Sequence, residues 1–144
     1  MIKEVQIVDI NTLLTLQVEL WPMHTVDELL PDCRKALQDP KQISWIYYKN
    51  SNPIGFLDLS IKDKALGCKS NKIGYVEGWY VKPEYQGNGF GLALYNQAEL
   101  WAIENGCFEM ASDTTQDYPL SIHAHEKVGF SISRRATHFK KDID

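Results

Sequence analysis

The segment from Tyr75 to Ala102 joins a strand pattern to a helix pattern through a glycine-rich turn. Its first part, YVEGWYV, belongs to an aromatic and β-branched run that predicts a strand over Ile73–Val81. The residues from Phe90 to about Asn105 repeat apolar side chains at helical spacing. The turn itself contains three glycines within five residues, Gly87, Gly89 and Gly91. Glycine adopts positive φ angles and leaves space beside the backbone, so the pattern predicts either a tight turn alone or a phosphate-binding loop at the start of a helix.

Hydrophobic periodicity and turn residues predict five further strands and three further helices. The predicted strands are Ile2–Val8, Ser44–Lys49, 54–62, Glu109–Ser112 and Arg135–Lys141. The predicted helices begin after a cap at Asp9 or Asn11 and end at Pro22, run from Thr25 to about Gln38 with a break or restart at Pro31, and span Pro119–Val128. This order predicts an α/β (α+β) fold with one domain over residues 1–144. Its sheet is mixed and mostly antiparallel, with helices on both faces.

Composition limits the classes of function. A net charge of −4 and the absence of a densely basic stretch argue against nucleic-acid binding. No apolar run approaches the roughly 20 residues that cross a bilayer, and the N-terminus does not resemble a signal peptide. Cys33, Cys68 and Cys107 are far apart, so we expect reduced thiols, no metal site and a cytoplasmic location.

Several motifs carry a resemblance to a known family. QGNGFG, residues 86–91, resembles the Q/R-x-x-G-x-G/A signature of the GNAT superfamily of N-acetyltransferases, and HEKVGF at 125–130 is similar to that family's late helix-end motif. LWPMH, VEGWYVKP, EMASDT and the C-terminal FKKDID extend the resemblance to the aminoglycoside 6'-N-acetyltransferases, a class connected with antibiotic resistance. The resemblance implies a GNAT fold, acetyl-CoA as co-substrate, no metal, a cationic amine as acceptor and a homodimer.

The resemblance also implies a coenzyme site. Backbone amides of the glycine-rich loop would hold the pyrophosphate of acetyl-CoA, and a backbone N–H of the preceding strand would bind the thioester carbonyl. The expected coenzyme-binding residues are Trp79, Tyr80, Val81, Gln86, Gly87, Asn88, Gly89, Phe90, Gly91, Leu92 and Tyr118.

Glu77 lies in the middle of the predicted strand, where alternation places it on one face with Tyr75, Trp79 and Val81. A carboxylate buried there must be paired, hydrogen-bonded or directed into a polar cleft. Glu77 is therefore either half of an internal ion pair with a lysine or arginine or a group that faces the acceptor amine. Because a protonated amine must lose a proton before it attacks a thioester, such a carboxylate could bind the ammonium and accept the proton. Gly78 fits a bulge that separates this strand from its parallel neighbour.

By the same resemblance, Trp21, His24, Glu77 and Asp113 form the acceptor site, and Asp113 and His125 join Glu77 as candidate catalytic residues. His125 stands where many GNAT enzymes have a tyrosine that protonates the leaving thiolate. The alternatives are a helix cap at Asp113, a packed tryptophan at Trp21 and a surface histidine at His24.

The leading interpretation is an acetyl-CoA-dependent transferase that acetylates a primary amine, with the 6'-amine of an aminoglycoside as the best-supported acceptor. A GNAT enzyme for a polyamine, a small metabolite or a protein amine is the alternative within the class. A non-catalytic acyl-CoA-binding domain is the alternative outside it.

Overall fold

A computed structural model describes residues 1–114 and 118–143. These residues form a five-stranded sheet in the order β1-β2-β3-β4-β5, in which neighbours along the chain are neighbours in space. The strands are β1 (Ile2–Glu4), β2 (Gln42–Lys49), β3 (Asn52–Lys62), β4 (Ile73–Val81) and β5 (Glu109–Ser112). β1 to β4 pair antiparallel, and β5 pairs parallel to β4. The predicted mixed, mostly antiparallel sheet is confirmed.

Four α-helices cover both faces of this sheet. They are α1 (Ile10–Leu20), α2 (Val26–Gln38), α3 (Phe90–Glu104) and α4 (Pro119–Lys127), and short 3-10 turns occupy Ile7–Asp9 and Pro83–Tyr85. α3 packs on one face, in a core cluster of Trp45, Leu57, Leu59, Val76, Leu94, Tyr95, Ala98 and Ala102. α1 and α2 pack on the other, in a cluster of Val5, Leu13, Leu14, Leu16, Cys33, Ile46 and Phe56. No helix within the described ranges is long and apolar enough to cross a membrane.

Three sequence predictions about the N-terminal third need correction. The first strand ends at Glu4 rather than Val8, because the Asp9 carboxylate accepts a 2.9 Å hydrogen bond from the backbone N–H of Gln6 and closes a 3-10 turn. Asp9 therefore caps that turn and makes no side-chain cap at α1. Pro31 lies inside α2 without ending it. The helix persists because Leu29, Leu30, Cys33 and Leu37 on its inner side pack against the core.

The predicted strand Arg135–Lys141 is absent. Residues 130–143 form neither helix nor strand, and Phe139 is 93% exposed. A strand requires a hydrogen-bonded neighbour, and this segment pairs with no strand of the described chain. β5 is consequently the edge of the sheet.

A bulge in β4 changes which side chains share a face. Asp58 of β3 is opposite Gly78, but the next β3 residue is opposite Val76, so Glu77 is the extra residue. Val76 and Trp79 consequently face α3, whereas Glu77 lies on the opposite face and bonds to Ser60. The prediction that Glu77 and Trp79 share a face is wrong, because strict alternation does not continue through a bulge.

Candidate active site

β4 and the edge strand β5 separate beside the bulge. Pairing between β4 and β5 runs from Ile73–Glu109 to Val76–Ser112 and stops there. The second half of β4, residues 77–81, therefore has no strand on that side within the described chain. The resulting gap opens next to the first turn of α3.

The glycine-rich loop presents a row of unpaired backbone donors at this gap. Gly87 and Gly89 have φ angles of +81° and +84°, and Gly89 is the N-cap of α3. In the described part of the chain, no N–H from Gly87 to Leu92 donates to a protein acceptor. Apart from the adjoining residues of the chain, no described atom lies within 4 Å of a Cβ built at Gly87 or Gly89, so the space over the loop is open. Open space, free donors and the positive end of the helix dipole make an anion-binding surface.

Three side chains hold the loop in this shape. The Gln86 amide donates to the carbonyl of Val81 at 2.9 Å, and the Asn88 amide donates to the carbonyls of Tyr85 and Gln86 at 3.2 Å. The indole N–H of Trp79 donates to the carbonyl of Gly91 at 3.0 Å. Phe90 directs its ring away from the gap, 4.9 Å from the Tyr47 ring centroid. The side chains of Trp79, Gln86 and Asn88 are therefore bonded to backbone carbonyls of the loop and of the segments beside it.

Glu77 is not buried, contrary to expectation. Its side chain is 38% exposed, and its Oε1 accepts a 2.7 Å hydrogen bond from Ser60 and lies 3.2 Å from the Lys62 ammonium. The bulge turns the carboxylate outward. It has a lysine partner, and it is reachable from solvent beside the β4–β5 gap.

Asp113 is connected to Glu77 by a chain of contacts that runs through Tyr75 and Lys62. The Tyr75 hydroxyl donates to Asp113, and burial together with this bond raises the pKa of Tyr75 well above its usual value. The Lys62 ammonium lies 3.8 Å from the centroid of the Tyr75 ring. Glu77, Lys62, Tyr75 and Asp113 thus form a continuous charged and aromatic surface, which we call the acidic patch.

Trp21 packs on the sheet beside Gly78. A Cβ built at Gly78 would lie 2.7 Å from Cη2 of Trp21, so the absence of a side chain at Gly78 is what admits the indole. The Trp21 ring also meets Phe56 edge-on, with centroids 6.0 Å apart. Trp21 therefore borders the strand position next to Glu77 and also packs against Phe56, as the alternative of a packed tryptophan expected.

His24 and Tyr118 are less closely tied to the site. His24 follows Trp21 in a turn, is exposed, and pairs through Nδ1 with Glu28 at 3.0 Å. Tyr118 is the exposed N-cap residue of α4. Tyr80 directs its hydroxyl to Glu19 at 2.9 Å, on the α1 face.

His125 lies where the strands separate. Its Nδ1 is 2.7 Å from the carbonyl oxygen of Ser121, which only accepts, so Nδ1 carries the proton of the neutral ring. Its Nε2 is 2.8 Å from the hydroxyl of Ser112, the last paired residue of β5. The ring stands edge-on to Trp79, with centroids 5.2 Å apart. His125 and Ser112 therefore form a hydrogen-bonded pair at the mouth of the gap.

A second carboxylate, Asp58, lies between the sheet and α1. It accepts hydrogen bonds from Ser44 at 2.6 Å and from Gln17 at 2.9 Å, and burial raises its pKa to about 6 despite these bonds. Asp58 was not predicted from the sequence. Like Glu77, however, it is a carboxylate within an apolar strand pattern, here FLDLS. Lys62 and Ser112 were also missed, and no local pattern marks them, because their partners come from other strands.

No group of three or more His, Cys, Asp or Glu side chains in residues 1–114 and 118–143 could hold a metal ion. The site therefore consists of the free backbone amides of the loop, the acidic patch and the histidine–serine pair around one gap in the sheet.

Comparisons with known proteins agree with this geometry. Aminoglycoside N(6')-acetyltransferase type 1 of Klebsiella aerogenes is 32% identical over 147 residues, covering 99% of this chain and 97% of that protein. The enzyme of the same name from Salmonella typhimurium is 34% identical over 127 residues, or 88% of each chain. The structure of AAC(6')-Iy in complex with the bisubstrate analog CoA-S-monomethyl-acetylneamine superposes with a TM-score of 0.90 at 30% identity, over 99% of this chain and 98% of that one.

The family described as Acetyltransferase (GNAT) matches residues 7–130, which include the gap, the glycine-rich loop and His125. The family resemblance seen in the sequence motifs is thereby confirmed over residues 7–130. The chain belongs to the acetyltransferase (GNAT) family.

Proposed function

We propose that this protein is an acetyl-CoA-dependent N-acetyltransferase whose acceptor is the 6'-amine of an aminoglycoside. The observation that carries the proposal is the row of free N–H groups from Gly87 to Leu92, beside a strand gap that exposes a carboxylate. The curated relatives named above are aminoglycoside N(6')-acetyltransferases, and one neighbouring structure holds CoA. These relatives support the choice of acceptor.

In this proposal the loop amides bind the pyrophosphate of acetyl-CoA, and the unpaired half of β4 binds its acyl arm. The backbone of Trp79 to Val81 supplies the N–H that polarises the thioester carbonyl. Gln86 and Asn88 contribute by shaping the loop, and Tyr118 contributes at the start of α4.

Glu77 and Asp113 bind the acceptor ammonium, and Trp21 and His24 border the sugar rings. Glu77 accepts the ammonium proton, directly or through water, because its carboxylate is open to solvent beside the gap. The freed amine then attacks the thioester carbon to form a tetrahedral intermediate. Its nitrogen loses a second proton to water as the C–S bond breaks, and the thiolate takes a proton. The Ser112–His125 pair is placed to supply that proton, with protonated His125 donating through Nε2 to Ser112.

A thiol-release assay tests the proposal. Release of CoA should occur with an aminoglycoside that carries a 6'-amine and not with a matched aminoglycoside that carries a 6'-hydroxyl. Release with a polyamine or a lysine peptide alone would redirect the acceptor assignment, and no release with any amine would favour a binding domain. Expression in a sensitive bacterial strain should raise the inhibitory concentration of the 6'-amino compound only, which tests antibiotic resistance as the biological role.

We also infer that the protein acts as a homodimer. Support comes from the tail, residues 130–143, where Phe139 and Ile143 are 93% and 90% exposed, and from the edge position of β5. A tail from a second copy could add a strand to that edge. Light scattering on the whole protein should give twice the chain mass, and Phe139→Ser should shift the protein towards the monomer.

A cytoplasmic location is the third inference. Cys33, Cys68 and Cys107 are free thiols, as expected in a reducing compartment, and acetyl-CoA is a cytoplasmic metabolite. Cell fractionation with an antibody to the protein tests it.

A further inference from the structure

Lys62 places a primary ammonium in the acidic patch. Its Nζ lies 3.2 Å from Oε1 of Glu77 and 3.8 Å from the centroid of the Tyr75 ring. A carboxylate on one side and an aromatic face on another are the contacts by which proteins bind an ammonium group. The chain's own amine thus has the contacts that a bound amine would need.

The ring that receives this ammonium is held in place. The Tyr75 hydroxyl donates to Asp113, and the Ser60 hydroxyl donates to the Glu77 oxygen that faces Lys62. Of the two carboxylates assigned above to the acceptor ammonium, Glu77 is therefore fixed against the lysine head group, and Asp113 holds the ring that this head group contacts. This arrangement is a formed subsite for one positive charge.

The lysine itself is easily displaced. The side chains of Lys62 and Glu77 are 41% and 38% exposed. Ion pairs this open to water contribute little to stability, so folding alone gives a weak reason for the contact. A second ammonium with further contacts elsewhere could replace Lys62 without disturbing the sheet.

We propose that Lys62 is a tethered occupant of the acceptor's ammonium subsite. Its ammonium holds the position that the acceptor amine takes, and the acceptor must displace it. This inference rests on the proposed function and adds a specificity device to it. A polycation replaces Lys62 because its other charged groups find partners, whereas a monoamine competes with the tethered lysine at a disadvantage.

The test compares Lys62→Met with Lys35→Met, which makes the same change in net charge at an exposed position on α2. For Lys62→Met, the KM of the 6'-amino aminoglycoside should fall about fivefold, equivalent to about 1 kcal/mol, with kcat and the KM of acetyl-CoA unchanged. A simple alkylammonium such as propylammonium should inhibit this variant competitively and the wild type much less. Lys35→Met should match the wild type.

Three results would overturn the proposal. An unchanged or higher acceptor KM in a folded Lys62→Met protein means that the lysine does not compete. A lower kcat means that Lys62 positions Glu77 instead. An equal fall in KM for Lys35→Met means that net charge alone is responsible.

If the protein is not an acetyltransferase, the wild type itself will release no CoA with any amine, which distinguishes that result from the three above. In that case calorimetric titration with propylammonium still tests the subsite. Tighter binding to Lys62→Met than to the wild type supports the occupant role, and equal or weaker binding refutes it.

Discussion

The indole N–H of Trp79 donates a 3.0 Å hydrogen bond to the carbonyl oxygen of Gly91 and so ties the unpaired half of β4 to the first turn of α3. The centroid of the same ring lies 5.7 Å from that of the Tyr95 ring and 5.2 Å from that of the His125 ring. One side chain therefore joins the strand gap, the glycine-rich loop and the histidine–serine pair.

Removing this bond should weaken the coenzyme site more than it weakens the fold. Trp79→Phe keeps most of the packing but removes the indole N–H that donates to the Gly91 carbonyl. We expect acetyl-CoA affinity to fall about tenfold, or about 1.4 kcal/mol, as measured by calorimetry. Trp101→Phe is the control, because Trp101 packs against Trp45 and not against the loop. Equal affinities in both variants would show that the bond does not organise the site.

Gly89→Ala tests the open space over the loop. The added methyl would meet no protein atom within 4 Å, but it would stand where a pyrophosphate approaches. Acetyl-CoA affinity should fall about tenfold or more, or about 1.4 kcal/mol. Gly106→Ala, at a φ of +82° against +84° for Gly89, introduces similar backbone strain at the far end of α3. If both variants lose stability alike and both keep their coenzyme affinity, the phosphate-binding assignment fails.

Glu77→Gln separates chemistry from stability. A positioned acid or base contributes about 10²- to 10⁴-fold to rate, so kcat/KM for the acceptor should fall at least about 10²-fold, or roughly 2.7 kcal/mol. Acetyl-CoA affinity should stay the same, because the loop amides lie elsewhere. The melting temperature should change little, because the pair with Lys62 is solvent-exposed.

Glu104→Gln, at the end of α3, controls for the loss of one negative charge. A Glu77→Gln protein that melts earlier yet retains full activity per folded molecule would remove Glu77 from the mechanism and leave it as an ion-pair partner.

Asp58 should make stability depend on pH between about 4 and 6. Burial raises its pKa from 3.8 to about 6, so the folded protein binds this proton more tightly than the unfolded chain does. The free energy of unfolding attributable to Asp58 therefore decreases as pH rises through this window, and the deficit persists above it. Asp58→Asn retains partners for Ser44 and Gln17 without the charge. It should be more stable than the wild type at pH 8, by on the order of 1 to 2 kcal/mol, and should lose that advantage near pH 4.

Urea unfolding at intervals from pH 4 to pH 8 measures this difference, with Asp63→Asn in the exposed loop as control. Carboxylates whose pKa is lowered by hydrogen bonds, such as Asp39 and Glu109, lose their contribution as the pH falls and affect all three proteins alike. A constant difference between Asp58→Asn and the wild type across the range would refute the raised pKa.

The sequence by itself determined the parts of this protein that depend on short-range chemistry. Glycines at Gly87 and Gly89 are required by positive φ angles, so the strand–loop–helix unit from Ile73 to Glu104 was predictable to within a residue. The pattern of apolar residues also predicted β5 and a mixed, mostly antiparallel sheet. These features follow from spacings of a few residues, which a linear pattern records.

The tertiary structure decided how Glu77 is used. Register against β3 made Glu77 the bulged residue, which turned it from the expected buried face to an exposed one. Lys62 of β3 contacts both Glu77 and the Tyr75 ring of β4, and Ser112 of β5 is hydrogen-bonded to His125 of α4. The C-terminal residues do not form their predicted strand, because they pair with no strand of the described chain. Strand register and edge pairing depend on contacts between distant residues, and no local pattern encodes those contacts.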